Sequence, residues 1–172
     1  LGPEPGTRRH PAEELGRVNG YADFLRTKER AVPGVGRSVT PDDLHPALRP
    51  HQRDGVAWAA ERGRAAIWWD CGLGKTLTQL EWARHMADYS LVVAPLSVAR
   101  QTVREAQMID LDVTYIRDQQ HVAGPGVYIT NYEMIHKIDP AAWGAVVLDE
   151  SSILKNVEGR TRRVITETFN RT

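Results

Sequence analysis

Apolar and polar positions along the chain follow two rhythms, one of helical and one of strand length, and they alternate. After Pro50, the segment HQRDGVAWAAERG sets Gln52, Val56, Ala59 and Ala60 on one face of a helix that Gly63 can end as its C′ residue. The apolar run AAIWWD has strand length, and the glycine-rich CGLGKT and a helical pattern of Leu77, Leu80, Ala83 and Ala87 follow it. The order returns in SLVVAPL, a buried strand, and VARQTVREAQMI, a helix. VTYIR and GVYIT read as strands, with Gly124-Pro125-Gly126 turning between them. Asp139-Pro140 starts one helical turn, Gly144 stops it, and AVVLDE follows as a strand that ends in two acids. Such alternation predicts an α/β fold with a mostly parallel central sheet flanked by helices.

Ahead of this body, residues 1–19 mix Gly2, Pro3, Pro5, Gly6, Pro11 and Gly16 with charges and predict a flexible tail. Within 20–47, Tyr21, Phe24 and Leu25 fall at i, i+3 and i+4 and predict a short amphipathic helix, followed by an irregular connection rich in Pro and Gly. The lobe proper is expected over 48–172. Composition narrows its class. The 172 residues carry Lys+Arg 22 against Asp+Glu 22, and at 41% hydrophobic they can build one packed core. Zero net charge argues against a protein that coats nucleic acid by bulk electrostatics, so any such contact is local. A single cysteine, Cys71, excludes an internal disulfide, and the six scattered histidines give a zinc site little support; an intracellular, cytoplasmic setting fits. No apolar stretch approaches the roughly 20 residues that cross a bilayer, and no membrane partner is expected.

The chemistry concentrates at two places. Gly72, Leu73, Gly74, Lys75 and Thr76 lie between an apolar run and an amphipathic helix, the context of a phosphate-binding loop. Glycines let backbone N–H groups crowd a phosphate, the helix start is electropositive, Lys75 adds a mobile charge and Thr76 a hydroxyl for Mg²⁺. The strict pattern has a further glycine five residues before Gly74, where this chain has Trp69. Asp149 and Glu150 end the last strand: one acid can hold Mg²⁺, and its neighbour can take a proton from an attacking water. The carboxyl edge of a parallel sheet is where ligands bind.

In order and spacing, LRPHQRDGVAWAA, DCGLGKT, VVAPLSVARQTVRE, ITNYEM and VVLDESSILKN resemble the motifs of superfamily 2 helicases. More narrowly, from about Leu48 to the end the chain resembles the first RecA-like lobe of Swi/Snf-type DNA translocases, including helicase-like proteins that phages encode. The resemblance implies a DNA-dependent ATPase that uses ATP and Mg²⁺ and moves on duplex DNA, in a bacterial or phage-infected cell. It gives Gln52 the reading of adenine, Lys75 the phosphates, Thr76 and Asp149 the metal, and Glu150 the catalytic base. It gives Ser97, Thr130 and Asn131 contacts to the nucleic-acid backbone, although serines and threonines at loop ends serve as often as local caps. Lys155 and Asn156 match the LKN tail that favours DNA over RNA.

Three departures stand out. Ser151-Ser152 occupy the place of an Ala-His or Gly-His pair that helps couple hydrolysis to motion, Thr102 stands where Trp is frequent, and Cys71 stands where Met is frequent. We expect Cys71 to be a small packed residue. In the resembling lobes a further strand with an LTGTP-like motif lies between the phosphate-loop strand and the acid-bearing strand. RTRRVITETFNRT comes first, which implies a lobe truncated before its last strands, lacking a second RecA-like lobe, and weakly active or inactive alone. Two alternatives share some of these residues: another P-loop NTPase, such as a small-molecule kinase, and a non-catalytic nucleic-acid-binding scaffold.

Overall fold

Parallel strands whose two faces are both covered read as continuous apolar runs, and β-strands of this kind form the middle of the sheet among the described residues. The computed structural model describes residues 36–152 with Arg163 and Ile165, all within the unit spanning residues 34–172. The expected tail at 1–19, the helix around Tyr21 and the Lys155-Asn156 pair lie outside the described residues. Helix α1 spans Pro50–Arg62, α2 Lys75–Met86 and α3 Leu96–Ala106. Strands are β1 Tyr89–Ala94, β2 Val113–Tyr115, β3 Gly126–Asn131 and β4 Ala145–Leu148. They form one all-parallel sheet ordered β2-β3-β1-β4.

Each helix has a local cause. Pro50 supplies the first position of α1, where a missing N–H costs nothing, and Gly63 closes it by donating to the Ala59 and Ala60 carbonyls. Along β1, Val92 and Ala94 face a cluster with Val56, Leu80, Ala83, Ala99 and Ile129. Leu91 and Val93 face the other, with Ile116, Tyr128, Tyr132, Ile135 and Trp143. Short 3-10 turns carry much of the connecting chain, including Tyr132–Lys137 directly after β3 and Pro140–Ala142, whose start Asp139 caps by accepting from the Ala141 N–H.

The run AAIWWD, expected as a strand, has no regular secondary structure. Apolar composition suits a strand but does not make one, since the backbone needs a hydrogen-bonding neighbour. On its paired side β4 meets β1, and the segment 65–70 is not bonded to its other side. A cleft of about 650 Å³ separates them, and Trp68 is 87% exposed. The cleft-lining side chains Gln79 and Trp82 each bury a nitrogen, Nε2 and Nε1, that has no hydrogen-bond partner among the described residues.

One buried acid ties the outer layer to the helix of the phosphate loop. Glu81 on α2 is fully buried; its Oε1 accepts from the His45 backbone N–H at 2.7 Å and lies 3.3 Å from His85 Nε2, while Oε2 stands 3.2 Å from Arg84 Nη1. Glu81→Ala would strand the His45 N–H and the Arg84 charge. We expect it to cost about 3 kcal/mol, read as a lower urea midpoint. Glu81→Gln, which keeps an acceptor for His45, should cost less.

Candidate functional site

The phosphate-loop sequence folds into a turn at the start of α2 whose glycines hold left-handed backbone, with φ of 83° at Gly72 and 75° at Gly74. Gly74 is the N-cap of α2, and a Cβ there would stand 2.0 Å from Gln52 Nε2, so both conformation and space demand glycine. At Gly72 the demand is conformational alone, since nothing lies within 4 Å of its missing Cβ. Lys75 opens the helix and turns its Nζ back to donate to the carbonyls of Trp69 at 2.8 Å and Asp70 at 3.1 Å. Thr76 is half-buried one residue later.

Gln52 is 4% exposed, and its amide is spent on the protein itself. Oε1 accepts from the Arg49 N–H at 2.7 Å, and Nε2 donates to the carbonyls of Leu73 at 3.2 Å and Gly74 at 3.3 Å. It thus fastens the start of α1 to the loop. His51, not singled out in the sequence, joins it: Nε2 lies 3.2 Å from the Leu73 carbonyl and its ring meets Trp69 edge-on at 5.4 Å. The only sequence signal for His51 is its place beside Gln52.

The acids emerge from β4 into the same cleft, which Lys75, Gln79, Asp149, Glu150 and Cys71 line together. Asp149 is half-buried and Glu150 exposed. Burial raises the Asp149 carboxyl above the ordinary aspartate value, and the Glu150 charge adds to this; the Gln79 amide and Lys75 pull the other way. Gln79, four residues after Lys75, brings an amide to the acids, although its Nε2 makes no hydrogen bond of satisfactory geometry. The backbone around Asp149 is held twice, its N–H donating to the Val93 carbonyl at 2.8 Å and its C=O accepting from Tyr132 Oη at 2.7 Å. Glu150 then takes a left-handed φ of 51°. Burial, with the Asp149 and Glu150 charges, holds the Tyr132 phenol protonated well above its ordinary range.

The residues expected to touch nucleic acid divide. Ser97 is exposed in the first turn of α3, at the carboxyl end of β1. Thr130 and Asn131, at the end of β3, are buried and bonded inward: the Thr130 hydroxyl donates to the Ile116 carbonyl at 2.9 Å, and the Asn131 amide accepts from Tyr115 Oη at 2.7 Å and donates to Glu133. Cys71 is exposed rather than packed, because its loop borders the open cleft. Thr102 is buried, its hydroxyl donating to the Val98 carbonyl. Among the described residues no cluster of three metal-ligating side chains exists, and no helix is long and apolar enough to cross a membrane.

A glycine loop at a helix start beside two acids on a parallel strand is the arrangement of a RecA-like lobe, and comparison with known proteins agrees. No family model matches the chain. It is 34% identical over 143 residues to the SWI/SNF-related matrix-associated actin-dependent regulator of chromatin subfamily A-like protein 1 of Xenopus tropicalis. The similarity is to SWI/SNF-related proteins. The Drosophila melanogaster protein of that name is 32% identical over 127 residues, and the Caenorhabditis elegans homolog 30% over 155. These alignments cover 74%, 66% and 81% of this chain but only 15%, 17% and 22% of the relatives. Among solved structures, the Sulfolobus solfataricus SWI2/SNF2 ATPase core in complex with dsDNA superposes with a TM-score of 0.61 at 23% identity, over 76% of this chain and 32% of that one. The fold is therefore that of a SWI2/SNF2 RecA-like lobe. The three sequence relatives are animal proteins, and the phage or bacterial setting expected from the sequence draws no support from them.

Proposed function

We propose that this SWI/SNF-like lobe binds ATP with Mg²⁺ and serves a DNA-dependent ATPase that moves along duplex DNA. One observation carries the reading: Lys75, at the mouth of a left-handed glycine turn, and the acids Asp149 and Glu150 line one cleft. A metabolite kinase explains the loop but not the acid pair together with similarity to the SWI/SNF-related proteins.

In this reading the loop N–H groups and the start of α2 receive the phosphates, and Lys75 exchanges its two carbonyl partners for phosphate oxygens. Two protein oxygens suit Mg²⁺, which keeps waters and phosphate ligands, so Thr76 and Asp149 would hold it and it would polarise the terminal phosphate. A half-buried carboxylate raised by burial is also one that a cation would relieve. Glu150, exposed to the cleft, takes the proton of the attacking water. Gln52 fixes the loop against α1 and brings adenine recognition only by exchanging a present bond. Ser97 offers its hydroxyl to a DNA phosphate; Thr130 and Asn131 shape the neighbouring loop from inside and reach DNA through backbone groups. A second RecA-like lobe supplies the arginine that such phosphoryl chemistry uses, an effect of about 10³ to 10⁵ in rate.

ATP turnover by the intact protein, measured with and without duplex DNA, tests this. We expect stimulation of tenfold or more that weakens as salt rises, as phosphate contacts demand. Turnover indifferent to duplex DNA would favour the kinase reading, and absence of turnover with DNA binding retained would favour the scaffold.

A further inference from the structure

A chain with Ser151-Ser152 after its two acids has no histidine there to sense events at the neighbouring strand ends, yet its β3 exit and its acids are joined by another side chain. Tyr132 follows Asn131 directly and begins the 3-10 turn Tyr132–Lys137. Tyr132 is 3% exposed, in one buried cluster with Leu91, Val93, Ile116, Ile135 and Trp143, and its hydroxyl donates to the Asp149 carbonyl at 2.7 Å. That carbonyl shares a peptide plane with the Glu150 N–H, which in turn donates to Asp149 Oδ1 at 3.1 Å. The plane is thus gripped at both ends, and its orientation decides where the Glu150 carboxylate points, since Glu150 continues from it at a φ of 51°.

On the other side, the start of the turn is anchored to the sheet edge. Asn131 is held by Tyr115 Oη from β2 and by Glu133, and Thr130 is held by the Ile116 carbonyl. A shift of the β3 exit cannot be absorbed by the tightly packed Tyr132 ring, so it travels along the hydroxyl to the peptide plane before Glu150.

We propose that Tyr132 is the positioning residue that couples occupancy of the loop after β3 by duplex DNA to the aim of Glu150. The inference rests on the DNA-dependent ATPase reading above. It makes the Tyr132 hydroxyl a transmitter rather than a mere buried donor. The two roles separate by measurement: a structural defect lowers turnover with and without DNA alike, whereas a coupling defect lowers their ratio.

The test is Tyr132→Phe in the intact protein, with turnover measured with and without duplex DNA and DNA affinity measured by fluorescence anisotropy. We expect the stimulation factor to fall about fivefold or more while DNA affinity stays within about twofold. An unchanged stimulation factor, even with lower turnover in both conditions, would overturn the inference. Incorporation of 3-fluorotyrosine at 132 retains the ring and strengthens the donor, and it answers the question if the phenylalanine variant does not fold. Stimulation must then be kept, and its loss would assign the effect to packing and overturn the coupling role. Wild-type protein that duplex DNA does not stimulate would instead sink the functional reading, and the inference with it.

Discussion

Glu150→Gln should lower ATP turnover by about 10² to 10⁴, the range over which general bases act, and leave ATP-Mg²⁺ binding within a few fold of wild type. The expectation follows from the contrast between two adjacent acids. Asp149 is half-buried at the end of β4, with its backbone N–H and C=O both bonded, and its carboxyl is raised by burial. Glu150 is exposed and turned by its left-handed φ, so it is the acid with freedom to meet a water in the cleft. A carboxamide keeps the size but cannot take a proton. Steady-state hydrolysis and nucleotide affinity measured side by side decide the matter. Turnover retained in Glu150→Gln would move the base elsewhere, and loss of binding along with turnover would make Glu150 part of the nucleotide site's framework instead.

How much of this was legible in the sequence depends on whether a feature is local or relational. The helices were legible because their causes are local: Pro50 and Gly63 bracket α1, and glycines at 72 and 74 precede α2. The strands β1 and β3 were legible because both their faces are covered, which leaves a nearly uninterrupted apolar run, and β4 carries a run of the same kind although it borders the cleft. The same rule failed at AAIWWD, where an identical run meets no partner strand and exposes Trp68 instead. Strand formation is a property of pairs, and one segment cannot announce its neighbour. At the candidate site, Lys75, Asp149 and Glu150 were singled out from motif and position, and all three line one cleft. Gln79, His51 and Tyr132 were not, since nothing along the chain says that an amide four residues past the lysine faces an acid, or that a tyrosine after β3 reaches a carbonyl after β4. Thr130 and Asn131 show the converse. Polar residues at a strand end look outward in sequence, but here each finds a partner on β3's neighbouring strand or just after it.

Lys75→Ala should cut the nucleotide-dependent stabilisation of the chain to about half of its wild-type size or less. In wild type, ATP-Mg²⁺ at about 100 times its dissociation constant adds about 2.7 kcal/mol, a rise of roughly 5–10 °C in the thermal midpoint for a domain of this size. Lys75 is the cation at the loop, and losing charge-assisted bonds to phosphate worth about 1.5–3 kcal/mol weakens affinity roughly ten- to a hundredfold. The substitution also acts without nucleotide. Its Nζ presently holds the Trp69 and Asp70 carbonyls, so the empty loop loses its own clasp, and the variant's baseline midpoint should fall slightly below wild type. Binding must therefore be judged by the nucleotide-dependent rise and not by the midpoint itself. A rise of wild-type size in Lys75→Ala would mean that the backbone N–H groups of the Gly72–Gly74 turn and the start of α2 suffice to bind the anion. The lysine would then serve the loop's empty state rather than its ligand.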